Sequence, residues 1–150
     1  MDSRDLAGAV VIVTGASSGI GEATARLLYA AGAHPVLAAR RADRLAALSG
    51  ELGGALAVTA DVTDRGDIRR IAETALDRHG RINALVNNAG ASLHLPLDQL
   101  DPDDLARALD LNVVSALAMT QAVLPAMRAQ GSGSVVNVSS GTTRMAPPVG

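Results

Sequence analysis

Two kinds of segment alternate along the chain. Short runs of apolar, β-branched residues, such as AVVIV at 9–13, are typical of strands that are buried on both faces. Between them lie longer stretches rich in Ala, Leu and Arg, several of which stop at glycine, as helices do. This pattern predicts strands over 9–13, 35–39, 55–60, 83–86 and 134–139, and helices over 21–31, 41–52, 64–79 and 101–130.

The ends of two helices carry specific signals. Asp64 is a suitable N-cap for the third helix, and Gly80 follows its last residue. The fourth helix begins at Asp-Pro-Asp-Asp (101–104), where proline suits the first turn and the acids favour the positive end of the helix dipole. We expect a bend in it near Pro125, and a loop with at most one helical turn over 91–101.

Regular alternation of strand and helix predicts an α/β protein with a doubly wound parallel sheet. Right-handed crossovers favour the strand order 3-2-1-4-5, with a reversal between strands 1 and 4. Ligands of such sheets bind at the carboxyl ends of the strands, beside the reversal. The 150 residues amount to about one domain.

Composition excludes several classes of protein. The net charge is −2 with dispersed basic residues, so nothing indicates a nucleic-acid or membrane-surface partner. Uninterrupted apolar runs fall far short of the roughly 20 residues that span a bilayer, and MDSRDLAG at the start has no apolar core of a signal peptide. There is no cysteine, and the three histidines have no metal-ligand spacing. These features predict a cytoplasmic protein without a metal site.

Two residue types are nearly or wholly missing. All 13 basic residues are arginine, so there is no lysine, and the single aromatic residue is Tyr29. A mechanism that needs a lysine, or a tyrosine elsewhere, cannot run on these 150 residues alone.

The segment TGASSGIG at 14–21 joins the first strand to the first helix. Its glycines, Gly15, Gly19 and Gly21, allow a tight turn, an approach of bare backbone to a diphosphate, and close packing of helix on sheet. The helix N-terminus attracts an anion, and Ser17 and Ser18 add hydroxyl donors. The alternative is a structural turn that binds nothing.

This segment and three others, together with Asn112, resemble a known family. The motifs are TGASSGIG, DVTD at 61–64, NNAG at 87–90 and NVSS at 137–140. In order and spacing they are similar to the N-terminal part of a short-chain dehydrogenase/reductase. The resemblance implies a Rossmann-like, dinucleotide-binding domain over 1–150 that is incomplete because it stops before the last strands.

The resemblance also implies which residues hold the cofactor. The diphosphate and adjoining ribose would lie against the glycine loop, the adenine against DVTD, and the nicotinamide-side ribose against NNAG. These residues are Gly15, Ser17, Ser18, Gly19, Ile20, Gly21, Asp61, Val62, Asn88, Ala89 and Gly90. Alternatively, Asp61 is a helix-capping or loop acid. For NNAG, a turn that closes the fourth strand is compatible with the cofactor role, since Asn87 and Asn88 can both brace the strands and shape the floor of the cleft.

The end of the second strand bears on the choice between NADP and NAD. An enzyme that uses NAD usually places an acid there to bind the ribose 2′-hydroxyl. This chain has Ala39 followed by Arg40 and Arg41, and guanidinium groups suit a 2′-phosphate. We therefore expect NADP, with Arg40 as the main contact. The competing interpretation is that both arginines are solvated, and it is stronger for Arg41.

For catalysis, the resemblance implies that Ser140 bonds the substrate carbonyl and that Asn112 distorts its helix and holds a relay water. The family's proton donor is a tyrosine in a Tyr-x-x-x-Lys pair, whose lysine lowers the tyrosine pKa. Counting from Ser140 places that pair beyond Gly150, and Tyr29 lies too far along the first helix to replace it.

The sequence therefore predicts the N-terminal portion of an NADP(H)-dependent oxidoreductase that interconverts an alcohol and a ketone and forms a homo-oligomer when complete. Two alternatives remain: a non-catalytic dinucleotide-binding or regulatory protein, and a damaged reading frame. The substrate cannot be chosen, because in this family it is set largely by later segments.

Overall fold

The structure is a computed structural model that describes residues 6–93 and 95–140. Five strands alternate with helical segments in the predicted order, and the fourth predicted helix is divided into two α-helices. The strands are β1 (Val10–Thr14), β2 (His34–Ala39), β3 (Ala57–Thr59), β4 (Ala84–Asn87) and β5 (Ser134–Asn137). The helices are α1 (Gly19–Ala30), α2 (Ala42–Glu51), α3 (Arg65–His79), α4 (Pro102–Leu109) and α5 (Ser115–Gln130).

All five strands form one parallel sheet in the order β3-β2-β1-β4-β5. This order confirms the predicted doubly wound topology, with its reversal between β1 and β4. The carboxyl ends of the strands consequently lie at one edge, where the loops after β1, β2, β3 and β4 meet.

Strand β3 is shorter than the predicted span 55–60. The backbone bonds of the ladder nevertheless extend past both of its ends: Leu37 N donates to Leu56 O at 2.8 Å and Ala60 N donates to Ala39 O at 2.9 Å. The predicted segment is therefore paired beyond both ends of β3, and the two spans differ only in where regular strand geometry begins and ends.

The core lies on both faces of the sheet. Along β1, Val10 and Ile12 pack on the side of α3 and α5, and Val11 and Val13 pack on the side of α1 and α2. Successive strand residues point to opposite faces, so a continuous run of apolar residues supplies both halves of the core.

The predicted helix ends are confirmed. Asp64 accepts a bond from Asp67 N at 2.8 Å at the start of α3, and Gly80 ends that helix in the left-handed region with φ 70°. Asp101 accepts a bond from Asp103 N at 2.8 Å at the start of α4.

The long helix predicted over 101–130 is interrupted, although not at the proline. A five-residue π-helical turn, Asp110–Val114, separates α4 from α5, while α5 continues through Pro125 to Gln130. One helical turn, Leu97–Gln99, lies in the preceding loop, as expected. The interruption falls on Asn112, a poor residue for a helix interior, whose side chain bonds outside the helix.

Within the part of the chain that the structure describes, one helical run could cross a membrane by length and composition. It is Pro102–Gln130, 29 residues long, with a mean hydropathy of 1.3 in its most apolar window and 17% of that window buried. The run is interrupted by charged residues, among them Arg107, Asp110 and Arg128, so it does not contradict the expectation, which concerned uninterrupted apolar runs. Because the core helices of globular proteins meet the same criterion, the run is weak evidence for a membrane protein.

Candidate functional site

A cleft of about 280 Å³ opens at the carboxyl edge of the sheet. It brings together residues from five separate segments: the glycine loop after β1, the loops after β2, β3 and β4, and the π-helical turn, Asp110–Val114. Its lining consists of Gly15, Ser17, Ser18, Ala38, Ala39, Arg40, Arg41, Ala60, Asp61, Val62, Asn88, Ala89, Gly90, Ala91 and Leu111. Of the residues predicted to hold a cofactor, only Gly19, Ile20 and Gly21 lie outside this lining.

Two of the three glycines in the loop are required by close packing, and the third is required by its backbone conformation. A Cβ on Gly15 would lie 2.9 Å from Ala89 Cα, and a Cβ on Gly21 would lie 2.4 Å from Gly15 O. Both positions therefore need close packing of loop, helix and β4. Gly19 has a φ of 57°, yet a Cβ there would meet nothing within 4 Å. Its requirement is a backbone conformation that side chains rarely adopt, at a position that faces open space.

The N-terminus of α1 adjoins this loop. The helix begins at Gly19, earlier than the predicted residue 21, and Ser18 is its N-cap residue. Ser17 is buried and Ile20 is 63% exposed. Backbone N–H groups in the first turn of a helix have no partner within the helix, and they carry the positive end of its dipole.

Thr14 joins the glycine loop to the loop after β4. Its hydroxyl oxygen accepts bonds from Asn88 N and Ala89 N, both at 3.0 Å. The Asn88 side chain returns a bond from Nδ2 to Thr14 O at 3.0 Å. The floor of the cleft is therefore fixed by bonds between segments more than 70 residues apart in sequence.

Asn87 braces the neighbouring strand and helix. Its Nδ2 donates to Asn137 Oδ1 in β5 at 2.9 Å and to Ala116 O in α5 at 3.2 Å. The prediction that NNAG both braces the strands and shapes the floor of the cleft is confirmed in its structural part.

The two arginines after β2 have different surroundings. Arg41 donates from Nε to Ser17 Oγ at 3.1 Å and from Nη2 to Ser18 Oγ at 2.6 Å. Arg40 lines the cleft, and its charge acts on Asp61. Arg41 is exposed at the start of α2, as the competing interpretation expects, but its guanidinium also binds both serines of the glycine loop.

Asp61 forms a local turn. Its Oδ1 accepts bonds from Thr63 N at 2.9 Å and Thr63 Oγ1 at 2.7 Å. These two bonds, together with the positive charge of Arg40, hold the pKa of Asp61 below its usual value. The carboxylate is consequently ionised, and the capping of α3 falls to Asp64 instead.

Asn112 lies in the π-helical turn and binds the loop after β4. Its Oδ1 accepts from Ala91 N at 3.0 Å and its Nδ2 donates to Ala91 O at 2.9 Å. A Cβ on Gly90 would lie 2.7 Å from Asn112 Oδ1, so the glycine that ends NNAG leaves room for this amide. Asn112 is exposed, as a solvent-facing residue would be, but its amide is engaged.

The sequence profile of the family described as short chain dehydrogenase matches residues 9–150. The chain belongs to the short-chain dehydrogenase family. It is 42% identical over 135 residues to an uncharacterised oxidoreductase of Listeria innocua, covering 87% of this chain and 54% of that protein. It is 41% identical over 135 residues to a Streptomyces violaceoruber protein named, as a candidate, ketoacyl reductase 2 of the granaticin polyketide synthase, with coverages of 87% and 54%.

A solved structure agrees with these relatives. The crystal structure of a short-chain dehydrogenase from Streptomyces avermitilis superposes with a TM-score of 0.83 at 40% identity, over 89% of this chain and 50% of that one. The chain thus spans about half the length of the relatives that it matches.

For this short-chain dehydrogenase chain, the predicted catalytic residues lie on the side of β4 and β5. Asn87 pairs with Asn137 in the parallel register, and Val138 N donates to Asn87 O at 2.9 Å. Ser140 follows at the same edge of the sheet and is exposed. Its role in binding a carbonyl stays a prediction, as does the relay water of Asn112.

Tyr29 lies near the other edge of the sheet, where it contacts Gly53 in the loop before β3. It is thus remote from the cleft, as predicted from its place in α1. Among the described residues, no group of three or more His, Cys, Asp or Glu side chains is arranged to hold a metal ion.

The short-chain dehydrogenase motifs did not predict the bonds of Thr14 to NNAG or those of Arg41 to the two serines. A usable signal existed for Arg41. Thr14 and Ala38 are partners in the β1–β2 register, so the residues that follow each strand must meet at the sheet edge. The bond from Thr14 to NNAG had no such signal, because it depends on a side-chain rotamer.

Proposed function

We propose that the protein carrying this chain is an NADP(H)-dependent oxidoreductase that interconverts an alcohol and a ketone. Residues 1–150 would supply its dinucleotide-binding domain. The observation that carries this proposal is the single cleft that gathers the glycine loop, Arg40 and Arg41, the DVTD loop and the NNAG loop at the carboxyl edge of the sheet.

The diphosphate would lie over the glycine loop at the N-terminus of α1. Gly19 supports this placement, because its Cβ position is open while its φ of 57° keeps the backbone bare. The serine hydroxyls add donors beside Arg41, since each accepts a bond from the guanidinium and keeps its own hydrogen to donate. A diphosphate in this place would meet backbone N–H groups and a fixed positive charge together.

The preference for NADP over NAD rests on charge at the end of β2. Ala39 is buried and carries no acid to bind a 2′-hydroxyl, and Arg40 and Arg41 follow it at the cleft. A 2′-phosphate accepts charge-assisted bonds from guanidinium groups, whereas a 2′-hydroxyl gains little from them.

The remaining ends of the cofactor would lie at opposite sides of the cleft. The adenine would contact Val62 and the ionised Asp61, whose Oδ1 bonds to Thr63 leave Oδ2 for the adenine amino group. The nicotinamide-side ribose would lie against Asn88, Ala89 and Gly90, which Thr14 and Asn112 hold in place.

NADP(H) would supply or accept the hydride once bound. Ser140 would donate a hydrogen bond to the substrate oxygen, and Asn112 would position the loop after β4 and a relay water. The family's tyrosine and lysine would come from residues outside these 150. A ketone as substrate is supported by the Streptomyces relative that is named as a candidate ketoacyl reductase.

A second candidate function is a non-catalytic dinucleotide-binding protein. The observation that favours it is composition: there is no lysine here, and Tyr29 lies at the wrong edge of the sheet. The two candidates differ in turnover but not in cofactor binding.

The two candidates are separated by NADPH oxidation, measured with a panel of ketones on the protein as its gene encodes it (the gene-encoded protein). We expect turnover that falls at least about a hundredfold in Ser140→Ala while NADPH affinity stays unchanged, since one preorganised donor is worth that much. Ser132→Ala is a matched control, because this exposed serine lies before β5, at its other end. NADPH binding without turnover on any ketone would favour the non-catalytic protein.

We further propose that the complete protein is a cytoplasmic homo-oligomer whose subunits pair through the long helix and whose substrate is a small molecule rather than a nucleic acid or membrane. Exposed apolar side chains recur every fourth residue on this helix, at Leu105, Leu109, Val113 and Leu117. Such a stripe is typical of helices that pack against a partner.

A further inference from the structure

A second cleft, of about 400 Å³, lies at the amino edge of the sheet, opposite the dinucleotide cleft. It is bounded by the end of α1, the start of β2, the loop between α2 and β3, and the end of α3. Its lining consists of Tyr29, His34, Pro35, Leu52, Gly53, Gly54, Ala55, Leu56, Arg78 and His79. A volume of this size is within the range of small-molecule sites.

The ionisable groups of this cleft are basic or neutral. They are Tyr29 on α1, His34 on β2, and Arg78 and His79 on α3, while the α2–β3 loop contributes none. Arg78 makes no ion pair with any carboxylate among the described residues, although other arginines of α3 do. A cleft with a free guanidinium and no acid in its lining favours an anionic ligand.

The two histidines form a stacked pair beside Arg78. Their ring centroids lie 5.3 Å apart with an interplanar angle of 22°. His79 Nε2 is buried and has no hydrogen-bond partner among the described residues. Burial, and then the charges of His34 and Arg78, lower the pKa of His79, so a negative charge that arrives beside it would favour its protonation.

Apart from these groups, the lining consists of apolar side chains, glycine backbone and the hydroxyl group of Tyr29. Pro35 and Leu52 are buried, and Leu56 is half-buried. The Tyr29 hydroxyl lies over Gly53, where a Cβ would be 2.6 Å from Tyr29 Oη. The cleft therefore offers an apolar wall, a phenol and a cationic end.

We propose that this cleft binds a small organic oxyanion, a carboxylate or phosphate on an apolar body, with the charged group against Arg78 and the body against Pro35, Leu52 and Leu56. Binding would be linked to proton uptake by His79, because the anion stabilises its imidazolium form. The affinity should then rise as the pH falls from about 8 to about 6, across the usual range of histidine titration.

The test is calorimetric titration of the gene-encoded protein with benzoate, which stays ionised over this pH range, and with benzamide as its neutral counterpart. We expect benzoate to bind, benzamide to bind at least about tenfold more weakly, and benzoate to bind several-fold more tightly at the lower pH. Phenyl phosphate, compared with benzoate at one pH, shows which oxyanion is preferred.

Two variants tie this binding to the cleft. Arg78→Gln should weaken benzoate at least about tenfold, whereas Arg69→Gln, an exposed position on the same helix outside the cleft, should leave it unchanged. The imidazole NMR signals, assigned with His34→Gln and His79→Gln, should shift on titration.

Equal affinities for benzoate and benzamide would overturn the proposal. So would equal losses in the Arg78 and Arg69 variants, or histidine signals that do not respond to bound benzoate. None of these outcomes depends on NADP(H) binding, which concerns the opposite edge of the sheet.

Discussion

Strands β1 and β5 are both short, parallel and rich in valine, yet their surroundings differ. All five residues of β1, VVIVT, are buried, whereas all four residues of β5, SVVN, are exposed. Strand β1 has a neighbour on each side and helices over both faces; β5 is paired only with β4 in the described part of the chain. A high valine content therefore favours strand formation, whereas the elements packed around the strand determine whether its side chains are buried.

The two halves of the site differ in the same way. On the side of β1, Thr14, Asn88 and Arg41 bond the loops to one another, so the nucleotide half is fixed by contacts within these residues. On the side of β5, Ser140 follows an exposed strand. The difference supports the proposal that cofactor binding belongs to this chain and that turnover depends on residues outside it.

The largest expected effect concerns turnover. Residues 1–150 as a separate polypeptide should oxidise no NADPH with any ketone, because they contain no lysine and their one tyrosine lies away from the cleft. A general acid alone contributes about 10²–10⁴-fold. The measurement is NADPH absorbance, with the gene-encoded protein as control. Robust turnover by the separate polypeptide, as a clean monomer, would refute the division of the site into two halves.

The next effect concerns the loop after β1. Gly19→Val should abolish dinucleotide binding while most helix content remains, because it forces a side chain toward the proposed diphosphate position at a φ of 57°. Gly131→Val is a matched control, since Gly131 has a φ of 72° and equally open space but lies after α5. Binding and circular dichroism are measured on both. If Gly19→Val binds within a few-fold of the wild type, the loop is only a turn.

The exposed strand should make the separate polypeptide self-associate. Val135, Val136 and Val138 are all exposed near an edge without a charge to blunt it. Val136→Lys should reduce light scattering by residues 1–150. Val136→Thr, which keeps a branched side chain of similar size, is the control for strand propensity. Unchanged scattering in Val136→Lys would show that this edge is not the contact.

A smaller effect concerns acid stability. The pKa of His79 is lower in the fold than its usual value of 6.5, mainly through burial, so the unfolded chain binds the proton more readily. This contribution to stability is complete above pH 6.5 and is lost as the pH falls toward the folded pKa. His79→Gln should therefore flatten urea-measured stability between about pH 7.5 and pH 5.5. An unaltered slope would contradict the assignment.

Much of this architecture follows from local signals. Strand order, the caps at Asp64 and Gly80, and the meeting of the four loops are consequences of apolar runs, capping residues and parallel topology. The distortion of the long helix at Asn112, which the family resemblance implied, is confirmed by the π-helical turn at Asp110–Val114. Its cause, a pair of bonds between Asn112 and Ala91 on a distant loop, is not contained in the spacing of the sequence. The bend expected near Pro125 stays a prediction, since α5 continues through it to Gln130.

The finer contacts depend on geometry that a linear pattern does not contain. The bonds of Arg41 to two serines and of Thr14 to NNAG require particular rotamers across adjacent strands. The histidine pair joins residues 34 and 79, which share no motif. Such contacts form wherever the fold brings side chains together, and spacing in the sequence does not reveal them.

Titration of the gene-encoded protein with NADPH and NADH shows whether the cleft beside β1 holds NADP(H) through the end of β2. The account predicts tighter binding of NADPH. Arg40→Ala should cost about 1–3 kcal/mol for NADPH and little for NADH, the scale of a charge-assisted bond. Arg44→Ala, an exposed arginine of α2 outside the cleft, should change neither affinity. Equal losses for both cofactors in Arg40→Ala, or tighter binding of NADH by the unmodified protein, would contradict it.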